Sequence, residues 1–342
     1  MSAPAGRRPS ATAAEEHDSD WEGVRLHVVT GKGGTGKTTV AAALALALAG
    51  RGRRVLLVEV EGRQGLAQLF DVPQLPYDEQ RLAVAADGGE VLGLAVEPKA
   101  ALLEYLQMYY KLGRAGSLLE KVGAVDFATT IAPGVRDVLL TGKVYEAVRR
   151  RRKGRPAFDA VVLDAPPTGR IGRFLNVNTE LAGLARMGPI HNQADAITSM
   201  LRSPQTVVHL VTLLEEMPVQ ETADAVAELS ASGLPIGGIV VNLAREPVLA
   251  ARRLGAAGKG RLDGDEVTEG LAAAGLAPSP AVVKGLLDEA AEHATRLALE
   301  QRERVQVEAL GRPVYELTAV ASGIDLGALY GLAEQLRDQG MA

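Results

Sequence analysis

Gly31-Lys32-Gly33-Gly34-Thr35-Gly36-Lys37-Thr38 decides the reading of this chain. The octet fits G-x-x-x-x-G-K-[ST] throughout and stands between two unlike stretches. Upstream, Val24–Thr30 (VRLHVVT) is a short β-branched run that reads as a buried strand. Downstream, Thr38–Ala49 (TTVAAALALALA) is rich in the best helix formers and stops at Gly50 and Gly52. A glycine-rich turn between strand and helix lets successive backbone N–H groups converge on one anion, and the helix N-terminus adds positive potential. In that frame Lys37 is a point charge for the β- and γ-phosphates of a nucleotide, and the Thr38 hydroxyl is a ligand for Mg²⁺. Gly33, Gly34, Thr35, Gly36 and Thr39 complete the cradle.

Outward from the loop, residues 54–60 form a second apolar run, so strand, loop, helix and strand follow within one βαβ unit of a parallel sheet. Later strand candidates are Ala160–Leu163, Thr206–Leu213, Ile236–Val241 and Pro313–Leu317, each followed by a helical pattern. The expected fold is α/β: a doubly wound, mostly parallel sheet. Stretches 98–151 and 176–203 carry Leu and Ala at helical spacing and are expected to form an inserted helical layer. A further helical stretch covers about 266–310. Residues 1–20 mix Pro, Ser, Ala and charge without an apolar segment and are expected to be a disordered tail. Residues 21–342 are then one domain carrying the insertions.

Composition narrows the function. The 342 residues hold 37 Lys+Arg against 42 Asp+Glu, a net charge of −5 that argues against bulk nucleic-acid binding. Aromatics are only 4 %, so Ala, Val and Leu fill the core, as suits helices packed on a parallel sheet. No cysteine is present, which removes disulfides, thiolate metal sites, zinc held by cysteine and iron–sulfur clusters. Arg7-Arg8 is not followed by an apolar segment, and the longest purely apolar run, Val40–Ala49, falls short of the ~20 residues a membrane span needs. A cytoplasmic location is expected.

Two further segments specify the loop's relatives. Lys32, directly after the first glycine, matches the deviant Walker A pattern KGGxGK[ST]. Asp164-Ala165-Pro166-Pro167-Thr168-Gly169-Arg170 follows the apolar run AVVL, where a carboxylate that organises Mg²⁺ is expected. With Arg173-Phe174-Leu175 beyond it, the chain resembles the arsenite-pump and tail-anchored-protein-targeting ATPases, the ArsA/GET family, over about residues 24–335. VTGKGGTGKTT, LLVEVEGRQGLAQLFDVP, FATTIAPGVRDVLLTGK and DAPPTGR resemble its actinobacterial branch of paired, anion-transporter-like subunits.

The resemblance implies ATP and Mg²⁺ as ligands, hydrolysis as the reaction and a dimer as the working form. Lys32 would reach the partner subunit's nucleotide, acting in trans as an arginine finger does. It also maps a nucleotide-contacting glutamate onto Glu221 and an adenine-reading asparagine onto Asn242. A client or membrane-protein partner is implied, with the dimer formed either by two copies or with a paralogous subunit.

Three departures bear on activity. The family's D-P-A-H-N segment, whose Asp positions the attacking water, aligns with Glu61-Gly62-Arg63-Gln64-Gly65. Glu61 keeps the carboxylate on a longer arm, and Gln64 is a second candidate for orienting water. Hydrolysis is thus expected to be slow or partner-dependent; the alternative is a catalytically weak regulatory subunit supporting an active paralogue. A C-x-x-C zinc clasp is missing, and one phosphate loop replaces the two that arsenite pumps fuse. A partitioning ATPase is disfavoured because Leu326–Ala342 lacks a basic amphipathic membrane helix. Arg149–Lys153 is read as cations at a helix C-terminus, and His209 as packed in a strand. Met108, Met187 and Met200 suit either a client groove or a core.

Overall fold

The computed structural model describes residues 20–110, 133–184, 189–321 and 323–342. Eight strands form one sheet: β1 (Leu26–Gly31), β2 (Arg54–Glu59), β3 (Gln80–Val84), β4 (Glu90–Ala95), β7 (Ala160–Asp164), β8 (Thr206–Thr212), β9 (Ile236–Ala244) and β10 (Val314–Thr318). A separate two-residue hairpin pairs β5 (Arg151–Arg152) with β6 (Arg155–Pro156). The spatial order β10-β9-β8-β1-β7-β2-β4-β3 is parallel everywhere except where β3 runs against β4. Sequence reading anticipates the parallel strands; it does not anticipate the β3–β4 edge. The α/β class holds.

Both faces of the sheet are buried, so its strands read as continuous apolar runs. Val29, Val55, Leu57, Val162, Val211 and Val240 face one helical layer. That layer holds α1 (Lys37–Leu48) and, beside it, α11 (Leu326–Asp338). Every residue of α1 from Val40 to Leu48 is buried, and the small alanines let this helix lie close to both sheet and neighbour. Alternate strand positions, among them Leu26, Val28, Leu56, Val58, Val161 and Leu163, face the opposite layer.

That second layer contains α3 (Pro98–Tyr110), α4 (Pro133–Arg149), α5 (Thr168–Leu184), α6 (Pro189–Leu201) and α7 (Glu216–Ala231). Its packing residues include Leu140, Val144, Phe174, Ile197 and Leu229. Within the stretches 98–151 and 176–203, residues 98–110, 133–149, 176–184 and 189–201 are helical, while Arg151 lies in the hairpin; residues 111–132 and 185–188, with Met187, lie outside the described residues. Met200 is buried in this core. The short α2 (Gly65–Leu69) follows β2. Between β9 and β10 come α8 (Ala251–Ala257), α9 (Gly264–Ala273) and the long α10 (Pro280–Glu308).

The basic run divides. Arg149 closes α4, Arg150 pairs with Glu146 at 2.6 Å and with Glu79, and Arg151 and Arg152 enter the hairpin. Nearby, Arg25, Arg149, Arg150 and Arg151 line a cavity of about 660 Å³ at the end of the sheet where β1 and β8 begin.

Candidate nucleotide site

The carboxyl ends of β1, β2, β7, β8 and β9 converge at the other end of the sheet, the position where open α/β folds hold ligands. β1 runs straight into the glycine loop. Two of its glycines are required by close approach. A Cβ on Gly31 would lie 2.2 Å from the Val211 carbonyl oxygen, and one on Gly36 would lie 2.3 Å from Asn242 Nδ2. Gly36 also has φ +83°, a left-handed conformation that side chains resist. It starts α1 without a side-chain cap, which leaves the first helical amides free to face an anion.

The loop is braced from within. Thr35 Oγ1 donates to the Lys32 carbonyl at 2.9 Å, and Lys37 Nζ donates to the same oxygen at 3.3 Å. Burial pulls Lys37 below the ordinary lysine range. Asp164 and Glu61 act in the opposite direction, and Arg63 adds to the lowering. Gly33 and Gly34 stand exposed on the crest, Thr35 is buried, and Thr39 is half-buried in the first turn of α1.

Thr38 Oγ1 donates to Asp164 Oδ2 at 2.7 Å, joining the start of α1 to the end of β7. Burial pushes the Asp164 carboxyl up to about 6, against the pull of the Thr38 hydrogen bond and Lys37; Glu59 and Glu61 add to the rise. A hydroxyl beside a buried carboxylate is a hard-oxygen donor set of the kind Mg²⁺ accepts. Thr30 Oγ1 donates to the Pro166 carbonyl at 2.6 Å and ties the segment after Asp164 to β1.

Glu61 lies in the same electrostatic cluster, its carboxylate 3.3 Å from Arg170 and 3.7 Å from Arg63. Gln64 departs from expectation. Its φ of +56° turns the chain into α2, and its amide closes on the Leu75 backbone, accepting from N at 2.8 Å and donating to O at 3.2 Å. Both ends of the amide hold the loop, so Gln64 is not directed at an attacking water.

Lys32 makes an ion pair with Glu221 at 2.8 Å, and Thr168 Oγ1 donates to the same carboxylate at 3.4 Å. Asn242 is buried, and its Nδ2 donates to the Thr35 carbonyl at 2.9 Å. Its amide donor thus supports the phosphate loop, while Oδ1 remains as an acceptor. Leu243, immediately after it, has φ +56° and is exposed, where the register of β9 against β10 shifts before Ala244 pairs with Thr318.

Sequence reading missed two members of this cluster. Arg170, quoted above only as the end of the Asp164–Arg170 segment, reaches the Glu61 carboxylate at 3.3 Å. Glu59, 2 % exposed at the end of β2, sits inside an otherwise apolar run. A carboxylate at a buried strand position was the available signal. Among the described residues no group of three or more Asp, Glu and His side chains is arranged as a metal site.

A βαβ unit, a phosphate loop that opens a buried helix and a hydroxyl–carboxylate pair beside it define a P-loop nucleotide-binding protein. The sequence profile of the family described as "Anion-transporting ATPase" matches residues 24–204. The chain belongs to that family, the ArsA/GET ATPases, and is an ATP-binding ATPase. It is 54 % identical to "ATPase BagA" of Mycobacterium tuberculosis over 320 residues, covering 93 % of this chain and 94 % of that protein. The "ATPase GET3" of Chaetomium globosum is 30 % identical over 211 residues, 60 % of this chain and 58 % of the relative. The "Arsenical pump-driving ATPase" of Escherichia coli is 27 % identical over 239 residues, 62 % of this chain and 38 % of that protein.

Proposed function

We propose that this chain binds ATP·Mg²⁺ at Lys32–Thr39 and hydrolyses it as a cytoplasmic dimer, using the cycle to move its helical layer against a client or membrane partner. The observation that carries this reading is the Thr38–Asp164 hydrogen bond of 2.7 Å beside Lys37. It sets a hydroxyl, a carboxylate and a half-buried ammonium at one helix start. When bound, Mg²⁺ would neutralise phosphate charge, with Thr38 and Asp164 as its protein ligands.

The chain's own groups do the rest. Backbone amides of the loop and Lys37 bind the β- and γ-phosphates. Glu61 orients the attacking water from the segment after β2. Lys32 serves the nucleotide of a partner subunit, and its pairing with Glu221 at 2.8 Å holds it against its own subunit until that partner arrives. Asn242 supports the loop and offers an acceptor toward the base. The segments 61–66 and 164–170 connect the γ-phosphate to α5, and through α5 to α4 and α6. Among the described residues no helix is long and apolar enough to cross a membrane, in keeping with a membrane partner rather than a span.

Calorimetry with a slowly hydrolysed ATP analogue tests the central claim. Lys37→Ala should abolish measurable binding, because the buried phosphate charge loses its fixed cation. Unchanged affinity would overturn the assignment of the loop.

One observation favours a second reading, a catalytically weak subunit supporting an active paralogue. Glu61 lies between Arg63 and Arg170, and a carboxylate committed to two guanidiniums holds water poorly. Turnover by the isolated chain decides between the two.

A further inference from the structure

Glu59 ends β2 beside Asp164, which ends β7; the two are direct partners in the parallel register. They also share a face. Val55 and Leu57 on β2, and Ala160 and Val162 on β7, point to the α1 layer, so by the two-residue period Glu59 and Asp164 point there as well. That is the side on which Thr38 stands. Glu59 Oε2 accepts the Leu66 N–H at 3.2 Å and so anchors the start of α2. Glu59 Oε1 is buried without a hydrogen-bond partner. Next to Leu66, a Cβ on Gly65 would lie 3.3 Å from Thr38 Cγ2, so the loop that Glu59 anchors lies directly on the threonine. Glu59, Leu66, Gly65, Thr38 and Asp164 thus form a closed ring.

Two buried carboxylates side by side repel one another, and leaving a carboxylate oxygen unpaired in the interior carries a large desolvation cost. The arrangement is incomplete without a donor at Oε1. Resting on the reading of Thr38 and Asp164 as Mg²⁺ ligands, we propose that Glu59 is a positioning residue that accepts, through Oε1, a hydrogen bond from a water on that cation. One carboxylate then holds both the cation's hydration shell and the start of α2. Occupancy of the nucleotide site is passed to loop 60–65 through a single side chain.

Glu59→Gln keeps the volume, and its amide oxygen can still receive the Leu66 N–H. Its other end becomes an NH₂ that faces the hydrogens of a metal-bound water. The full-length chain is titrated with ADP in EDTA, then with Mn²⁺ in the presence of ADP by electron paramagnetic resonance. Tryptic cleavage after Arg63, whose side chain is 78 % exposed, is followed in parallel.

The variant should bind ADP in EDTA within about twofold of wild type, but lose about tenfold or more in Mn²⁺ affinity. It should also lose the protection of the Arg63 bond that Mg²⁺ adds to ADP in the wild type. An unchanged Mn²⁺ affinity with a lowered melting temperature would make Glu59 only a structural anchor and overturn the proposal. Should the variant not fold, the wild type still decides. If Mg²⁺ adds no protection at Arg63 beyond that of ADP alone, the loop is not tied to the cation. Failure of the wild type to bind ADP would instead overturn the nucleotide assignment, and the proposal with it.

Discussion

Asp164 offers a test in which stability and ligand binding move in opposite directions. Its carboxyl titrates at about 6 instead of 3.8, chiefly because it is buried, and the residue is 8 % exposed. Between those two pH values the folded chain holds a proton that the unfolded chain has released. Stability therefore falls as pH rises through that window, and the cost is complete above pH 6. A gap of about two pH units at about 1.4 kcal/mol each makes the ionised carboxylate cost about 3 kcal/mol near neutral pH. Asp164→Asn removes the charge, and its amide oxygen can still accept from Thr38. In urea titrations without nucleotide or metal, the variant should be more stable by up to about 3 kcal/mol at pH 7.5, roughly 4 °C in melting temperature for a chain of this length. The advantage should shrink toward zero at pH 4. Its ADP complex should meanwhile bind Mn²⁺ more weakly, so stability rises where function is lost. A variant no more stable than wild type at pH 7.5, or a difference that ignores pH, would refute the claim that burial of this carboxylate outweighs its Thr38 hydrogen bond and Lys37.

Lys32→Ala should bind nucleotide almost normally as a monomer, because Lys37 and the loop amides remain, yet lose ATP-stimulated association by sedimentation and roughly a hundredfold or more in turnover; loss of monomer binding would refute the trans role. Glu221→Gln releases the Lys32 ion pair at 2.8 Å and should raise the ATP-stimulated dimer fraction in the same sedimentation assay. Glu61→Gln should keep binding and lower turnover, since an amide holds water less strongly and takes no proton; equal turnover would assign the water to another residue. His27 Nδ1 and His209 Nε2 meet at 3.1 Å, and burial, first of the causes for each, lowers both; His27 titrates at about 3. Their contribution to stability is present above about pH 6.5 and lost as pH falls toward those lowered values. Both imidazoles should stay neutral at pH 5 by NMR, and protonation of either in the folded chain at that pH would contradict the packing.

Local chemistry alone determined the phosphate loop and the strands that carry it. A glycine turn between a β-branched run and an alanine-rich helix has few other solutions, and AVVL before Asp164 set that carboxylate at a strand end. His209 in its strand and Arg149 closing α4 were legible for the same reason, each depending on its own element; Arg151 and Arg152, read as part of the same helix end, lie instead in the hairpin. Pairings between elements were not legible. Nothing near Asn242 in the chain says that its amide meets Thr35, 207 residues away, or that Gly36 is glycine because that amide occupies the Cβ position. Gln64 reads as a polar candidate for water until its backbone turn delivers the amide to Leu75. Lys32 and Glu221 meet because β1 and β8 are neighbours in the sheet and the segments after them leave from the same end. Glu59 is an acid in an apolar run until the parallel register sets it against Asp164. The two-residue period of a strand shows which face a side chain takes; only the order of strands decides what stands beside it.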